Sequence, residues 1–213
     1  MRVICFDLDD TLYKEIDYLK SAYLLIAKAT FGEAWEELYH QMLQWYKAGE
    51  DVFQKVVDWR PDVEKAGLLN IYRYDVHTLS LSMEVAEVLT ALKQRGAKLG
   101  LITDGRSLTQ RNKIGALGLM KWIDKEDVVI SEEIGSTKPA LANYAYFMEH
   151  YPECHDFTYI GDNPCKDFIA PNRLGWNTIC LKDDGRNIHK QDFRAVPAEA
   201  IPKRIVEKLS EIL

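Results

Sequence analysis

The sequence predicts an α/β protein: a three-layer core on a mostly parallel sheet, with a helical domain inserted after the first strand. Three observations lead there. From residue 81 onward, short apolar runs of strand length alternate with segments of helical periodicity. Such alternation places parallel strands in one sheet covered by helices. A block of purely helical periodicity, residues 13–80, stands between the first strand and the rest. Finally, Gly96, Gly118 and Gly175 follow helical segments as stops.

The elements follow in order. Arg2–Phe6 is a short apolar run ending in acids, which reads as a buried strand. Ile16, Leu19, Tyr23, Ile26 and Ala27 line one face of a first helix. Trp35, Leu38, Tyr39, Met42, Trp45 and Tyr46 do the same for a second. Val52–Val57 suggests a third, shorter helix, and a fourth follows Pro61. A helix bearing Val85, Val88, Leu89 and Leu92 then leads into a strand over Lys98–Ile102. Ser107-Leu108-Thr109-Gln110 has a capping-box pattern and opens the next helix, which ends near Gly118. Asp127–Ile130 is a strand. Pro139 suits the first position of a helix running to about His150. Phe157–Ile160 is a strand, Asn163-Pro164 opens a helix ending at Gly175, and Asn177–Leu181 is the last strand. Lys203–Leu213 reads as an amphipathic helix, and Asp183–Ala200 as an ordered surface excursion. The expected division is a Rossmann-like core of residues 1–12 and 81–213, with residues 13–80 as a helical cap domain.

Composition sets the outer limits. With 213 residues and 47% apolar content the chain can bury a core without disulfides or structural metal. Its net charge of −6 argues against a nucleic-acid or anionic-membrane surface. Ala22–Ala27 is the longest apolar stretch, far short of a membrane span. Met1–Phe6 meets Asp7 too soon for a signal peptide. Cys5, Cys154, Cys165 and Cys180 form no Cys-x-x-Cys pair. Reduced thiols in a cytoplasmic protein are therefore expected.

Ligands of an open parallel sheet bind beyond the carboxyl ends of its strands. The residues at those ends are Asp7, Asp9, Asp10 and Thr11; Thr103 and Asp104; Ser131, followed by Lys138-Pro139; and Asp162 through Asp167. One edge would thus hold Asp7, Asp9, Asp162 and Asp167 near Lys138. Crowded carboxylates either raise their own pKa values or recruit a cation. An all-oxygen set with room for water suits Mg²⁺. A lysine and a threonine hydroxyl beside that ion would make a seat for a dianionic phosphoryl group. Asp7 and Asp9, two apart at a strand end, point to the same side. Asp7 can then serve as the nucleophile that becomes an aspartyl-phosphate, and Asp9 as the acid and base.

Asp7-Leu8-Asp9-Asp10-Thr11-Leu12 resembles the first signature of the haloacid dehalogenase superfamily. Leu101-Ile102-Thr103-Asp104-Gly105 is similar to its second motif, Lys138-Pro139 to its third, and Gly161-Asp162 through Asp167 to its fourth. The four stand in the family's order. Ile130-Ser131-Glu132-Glu133-Ile134-Gly135 resembles the branch holding many nucleotidases and small phosphatases. The resemblance implies that Asp7 is nucleophile and metal ligand, and that Asp9 is acid/base with its main-chain carbonyl on Mg²⁺. It implies that Thr103 and the Asp104 N–H hold phosphoryl oxygens, with Lys138 pairing the phosphoryl group and Asp7. Asp162 would ligate Mg²⁺, and Asp167 would sit outside it, orienting Lys138. Phosphate-handling members carry an acid at the position of Asp9, whereas carbon–halogen-cleaving members do not.

The expected function is a Mg²⁺-dependent phosphohydrolase acting on a small phosphorylated metabolite. A sugar phosphomutase is the alternative; a 2-haloacid dehalogenase or a non-catalytic binding protein is more distant. Blander roles also compete. Asp10 and Thr11 read as turn-shaping rather than catalytic. Cys165 and the five histidines (His40, His77, His150, His155, His189) read as packed or solvated. Lys14 and Arg106 could touch substrate or be ordinary solvated charges. The segment from Tyr13 to Ser80 holds 12 of the 23 aromatic residues. A small helical core filled by large rings is favoured there over a stacking surface for substrate.

Overall fold

The computed structural model describes residues 1–75 and 78–213; Val76 and His77 lie outside the described residues. Strand β1 (Arg2–Phe6) leads into four helices, α1 (Glu15–Phe31), α2 (Trp35–Lys47), α3 (Val52–Trp59) and α4 (Lys65–Tyr74). There follow α5 (Met83–Gln94), β2 (Ala97–Thr103), α6 (Ser107–Ala116), β3 (Val128–Ile130), α7 (Ser131–Ile134) and α8 (Ala142–His150). The chain finishes with β4 (Asp156–Gly161), α9 (Ile169–Arg173), β5 (Asn177–Leu181) and β6 (Arg204–Val206). Two compact units result, one of Met1–Glu15 with Ser80–Leu213, the other of Ile16–Leu79.

The first unit is a six-stranded sheet in the order β3-β2-β1-β4-β5-β6, with every pair parallel and helices on both faces. β1 lies at its centre, Phe6 paired with both Leu101 and Ile160. Buried on both faces, β1 reads as a nearly unbroken apolar run. Beneath the sheet Tyr144, Phe147, Phe157, Tyr159 and Trp176 pack with Val3 and Cys5. Gly100 leaves room for this layer, because a Cβ there would fall 2.4 Å from Phe147 Cε1. In the second unit the buried side chains are mostly aliphatic, among them Leu19, Ile26, Leu38, Met42, Val56 and Leu68, and most of its rings lie at the margin of that core, against the expectation that large rings fill it. Tyr18 and Tyr23 are buried, and Tyr23 meets Tyr46 and Phe53 edge-on.

Several local expectations fail for physical reasons. Lys203–Leu213 is no helix. Ile205 and Val206 are β-branched, and the edge of β5 offers open main-chain groups, so Arg204–Val206 joins the ladder and a 3-10 turn follows at Leu209–Ile212. Ser107 does not cap α6. Arg106 holds that position, while the Ser107 N–H donates to Glu132 Oε2 at 2.7 Å and its hydroxyl to Glu133 Oε1 at 2.6 Å. Acids of α7 thus meet the amino end of α6, where negative charge is favoured. Asn163-Pro164 opens only a single turn, in which Asn163 Oδ1 accepts from Cys165 N at 3.0 Å and Asn163 O from Asp167 N at 2.9 Å; α9 begins at Ile169. Asp127 belongs to a 3-10 turn before β3, and α8 begins at Ala142, three residues after Pro139.

Candidate active site

Five turns meet at the carboxyl edge of the sheet. The first leaves β1. The Asp7 N–H donates to Ile160 O at 2.8 Å, which locks the start of this turn to β4. Asp10 adopts φ +58°, a region that Asp tolerates better than most residues. Its carboxylate accepts from Glu15 N and Ile188 N, each at 2.9 Å. Asp10 therefore shapes the turn.

Lys138, reached through a cis Lys138-Pro139 bond, has a buried ammonium group. It donates to Asp7 Oδ1 at 2.7 Å, Asp167 Oδ1 at 2.8 Å and the Tyr159 hydroxyl at 3.0 Å. These are the three donations an ammonium group can make. Burial alone would lower its pKa, but Asp167 and Asp7 outweigh that and hold it well above the ordinary lysine value. The other oxygen of Asp167 accepts from Asp162 N at 3.1 Å and Asn163 N at 2.8 Å. Gly161 makes this fold-back possible, since a Cβ there would lie 2.5 Å from Asp167 Oδ2.

Asp7, Asp162 and Asp167 each offer a carboxylate oxygen within 4.8 Å of the others. Burial, only partly offset by Lys138, raises the Asp7 carboxyl to about 6. Burial and then Asp167 and Asp7 push Asp162 up to about 9. Protein donors fall on Asp7 Oδ1 and Asp162 Oδ2, which leaves the second oxygen of each for a cation. A crowded, all-oxygen set of this kind fits a hard divalent ion. A cavity of about 200 Å³ adjoins it, lined in part by Asp7, Asp9, Asp104, Asp162, Lys166 and His189.

The Asp9 side chain stands outside this triplet. Its Oδ1 accepts from Lys113 Nζ at 2.7 Å and from the Tyr13 hydroxyl, and its Oδ2 from Gln110 Nε2 at 3.0 Å. Burial would raise its pKa, but Lys113, Tyr13 and Gln110 together hold it below the ordinary carboxylate value. Gln110 Nε2 also reaches Thr103 Oγ1 at 2.6 Å, joining the first two motifs. Asp104 Oδ1 accepts from Lys138 N at 3.0 Å, and Lys166 Nζ lies 3.7 Å from Asp104 Oδ2. The edge therefore carries Lys113 and Lys166 besides the one lysine expected.

The geometry thus brings Asp7, Lys138, Asp162 and Asp167 into contact and places Asp9, Thr103 and Asp104 around them. Gln110, Lys113, Tyr159 and Asn187 were not anticipated. Gln110 and Lys113 lie three apart on α6, and both are buried beside Ile114. Polar residues on a helix face that also carries apolar ones were the available signal for these two.

A parallel sheet interrupted after its first strand by a helical unit, with acids gathered at its carboxyl edge, defines a Rossmann-like hydrolase of the haloacid dehalogenase type. Residues 4–181 match the haloacid dehalogenase-like hydrolase family, and the chain belongs to it. A glyceraldehyde 3-phosphate phosphatase of Methanocaldococcus jannaschii is 30% identical over 206 residues, covering 89% of each chain. One of the same name from Methanopyrus kandleri is 26% identical, covering 100% of this chain and 96% of its own. Among solved structures, the HAD-hydrolase YfnB of Bacillus subtilis, bound to magnesium, superimposes with a TM-score of 0.69 at 20% identity, covering 99% of this chain and 96% of that one. No helix among the described residues is long and apolar enough to cross a membrane.

Proposed function

We propose that the protein is a Mg²⁺-dependent phosphatase of small phosphorylated metabolites, working through an aspartyl-phosphate on Asp7. The observation that carries this reading is the Lys138 ammonium shared by Asp7 and Asp167, with Asp162 in ligand range of both. Asp7 and Asp162 would hold Mg²⁺, with the Asp9 carbonyl as the family resemblance implies. The ion, when bound, neutralises phosphoryl charge and aligns the group for attack. Lys138, Thr103 and the Asp104 N–H would receive the remaining phosphoryl oxygens. Residues 13–80 would act as the cap that selects the leaving group.

The chemistry balances in two steps. An Asp7 oxygen attacks phosphorus, the ester P–O bond breaks, and the leaving alkoxide takes a proton from Asp9. A water oxygen then attacks phosphorus, Asp9 takes the water proton, and the Asp7–phosphorus bond breaks to free inorganic phosphate. Lys113, Gln110 and Tyr13 hold Asp9 as the carboxylate, the form required in the second step, and the first step requires Asp9 to leave these donors and carry the proton it gives up. The names of the relatives make a three-carbon phosphorylated aldehyde the first substrate to try, and a cytoplasmic setting agrees with its four free cysteines.

The test is phosphate release from glyceraldehyde 3-phosphate, sugar phosphates, nucleotides and an aryl phosphate, with Mg²⁺ and with EDTA. Release should require Mg²⁺. Asp7→Asn keeps the side-chain shape but removes the attacking charge, and kcat should fall by at least ~10³-fold with the fold retained. Parent-like turnover in that variant would refute the role given to Asp7.

A further inference from the structure

The excursion after β5, which carried no role in the sequence, closes on the acidic cluster. Asp183 Oδ1 accepts from Gly185 N at 2.7 Å and Asn187 N at 3.0 Å, folding the segment into a tight turn. Gln191 Nε2 then donates to Leu181 O at 2.8 Å and to Asp162 O at 2.7 Å, and Ile188 N to Asp10 Oδ2 at 2.9 Å. The turn is thereby tied to the ends of β5 and β4 and to the turn after β1. At its tip Asn187 Nδ2 donates to Asp162 Oδ2 at 2.8 Å. On the other side Lys14 Nζ donates to Asn187 Oδ1 at 2.6 Å and lies 3.3 Å from Asp184 Oδ1.

We propose that Asn187 is a positioning residue for Asp162, and that Lys14 sets the orientation of its amide. The inference rests on the reading of Asp162 as a Mg²⁺ ligand. An ammonium group can only donate, so the Asn187 carbonyl oxygen must face Lys14. A carboxylate can only accept, so the amide nitrogen must face Asp162. Asparagine satisfies both at once. A carboxylate at 187 would repel Asp162, and an apolar residue would leave one oxygen of Asp162 without its donor. The hydrogen bond to Oδ2 restrains rotation of the carboxylate and so fixes the direction in which its oxygens face. Partners of this kind orient metal-binding side chains, and their loss typically weakens metal affinity by about 10–100-fold. Lys14 thus acts at one remove, as a residue that fixes an amide.

The experiment is calorimetric titration of the purified protein with MgCl₂ alone, for the parent, Asn187→Ala, Lys14→Met and Lys14→Arg. Thermal midpoints are recorded in parallel in EDTA. Asn187→Ala should bind Mg²⁺ about 10–100-fold more weakly, with the EDTA midpoint near that of the parent. Lys14→Met should lose a smaller factor, because the amide then has no donor to fix its orientation. Lys14→Arg should restore affinity. Should Asn187→Ala fail to fold, the Lys14 pair carries the same test. An Asn187→Ala variant that folds and binds Mg²⁺ as tightly as the parent overturns the proposal, as does a lowered EDTA midpoint with unchanged affinity. A parent that binds no Mg²⁺ overturns the metal reading itself, and the proposal with it.

Discussion

The carboxyl edge of the sheet and the interior of the helical unit are both shielded from water, but they are held by opposite means. At the edge Asp7, Lys138, Asp162 and Asp167 are all buried and joined by directed hydrogen bonds. In the helical unit the buried side chains are Tyr18, Leu38, Met42 and Val56, joined by ring contacts such as Tyr18 with Tyr72. Its ion pairs, Lys65–Asp51 and Arg60–Asp62, lie on the surface, where such pairs contribute little. Like charges concentrated at the edge work against stability and favour a bound cation. Apolar surface buried in the helical unit contributes stability directly. Damage at the edge should therefore be read in chemistry and metal binding as well as in folding, and damage in the helical unit in folding alone.

Three substitutions sharpen that contrast. Lys138→Met should have the largest effect. It leaves Asp7 and Asp167 facing each other without their ammonium group, and breaking a buried pair costs about 3–5 kcal/mol. Urea unfolding should show that loss together with abolished phosphate release. A stable, active variant would mean that the ammonium group is dispensable. Leu38→Ala comes next. The residue is fully buried in α2, and large-to-small changes at such sites cost about 2–5 kcal/mol. Its loss belongs in the unfolding curve, with Mg²⁺ affinity left as in the parent; a changed affinity would undo the separation drawn here. Tyr18→Phe is the mildest. It removes the hydroxyl that donates to the Tyr72 carbonyl, for about 1 kcal/mol, detectable as a shifted urea midpoint and nowhere else.

Much of the edge was legible from local pattern. Asp7, Thr103, Asp104 and Asp162 each follow an apolar run of strand length, and in a parallel sheet those ends share one side. Lys138 and Asp167 lie further along the segments after the third and fourth such runs, so the same rule brought them to that edge, and only their roles rested on the family's motif order. The partners of Asp9 were not legible. Gln110 and Lys113 lie about a hundred residues away, and only the approach of α6 to the turn after β1 shows which carboxylate they serve. Asn187 was hidden for the same reason, in a segment without periodicity. The carboxyl terminus misled because its spacing of Ile205, Val206 and Leu209 suits a helix. The open edge of β5, invisible in one dimension, decided for a strand.

The amino-acid order by itself determined the alternation of strand and helix, the place of the helical insertion and the residues at the strand ends, because burial periodicity and chain direction are local properties. Tertiary structure alone decided which charges neutralise which. It set Lys138 between two acids, turned Asp9 toward α6 and brought Asn187 down on Asp162. Coulomb and hydrogen-bond energies depend on distance in space, and the order of residues along the chain does not state those distances.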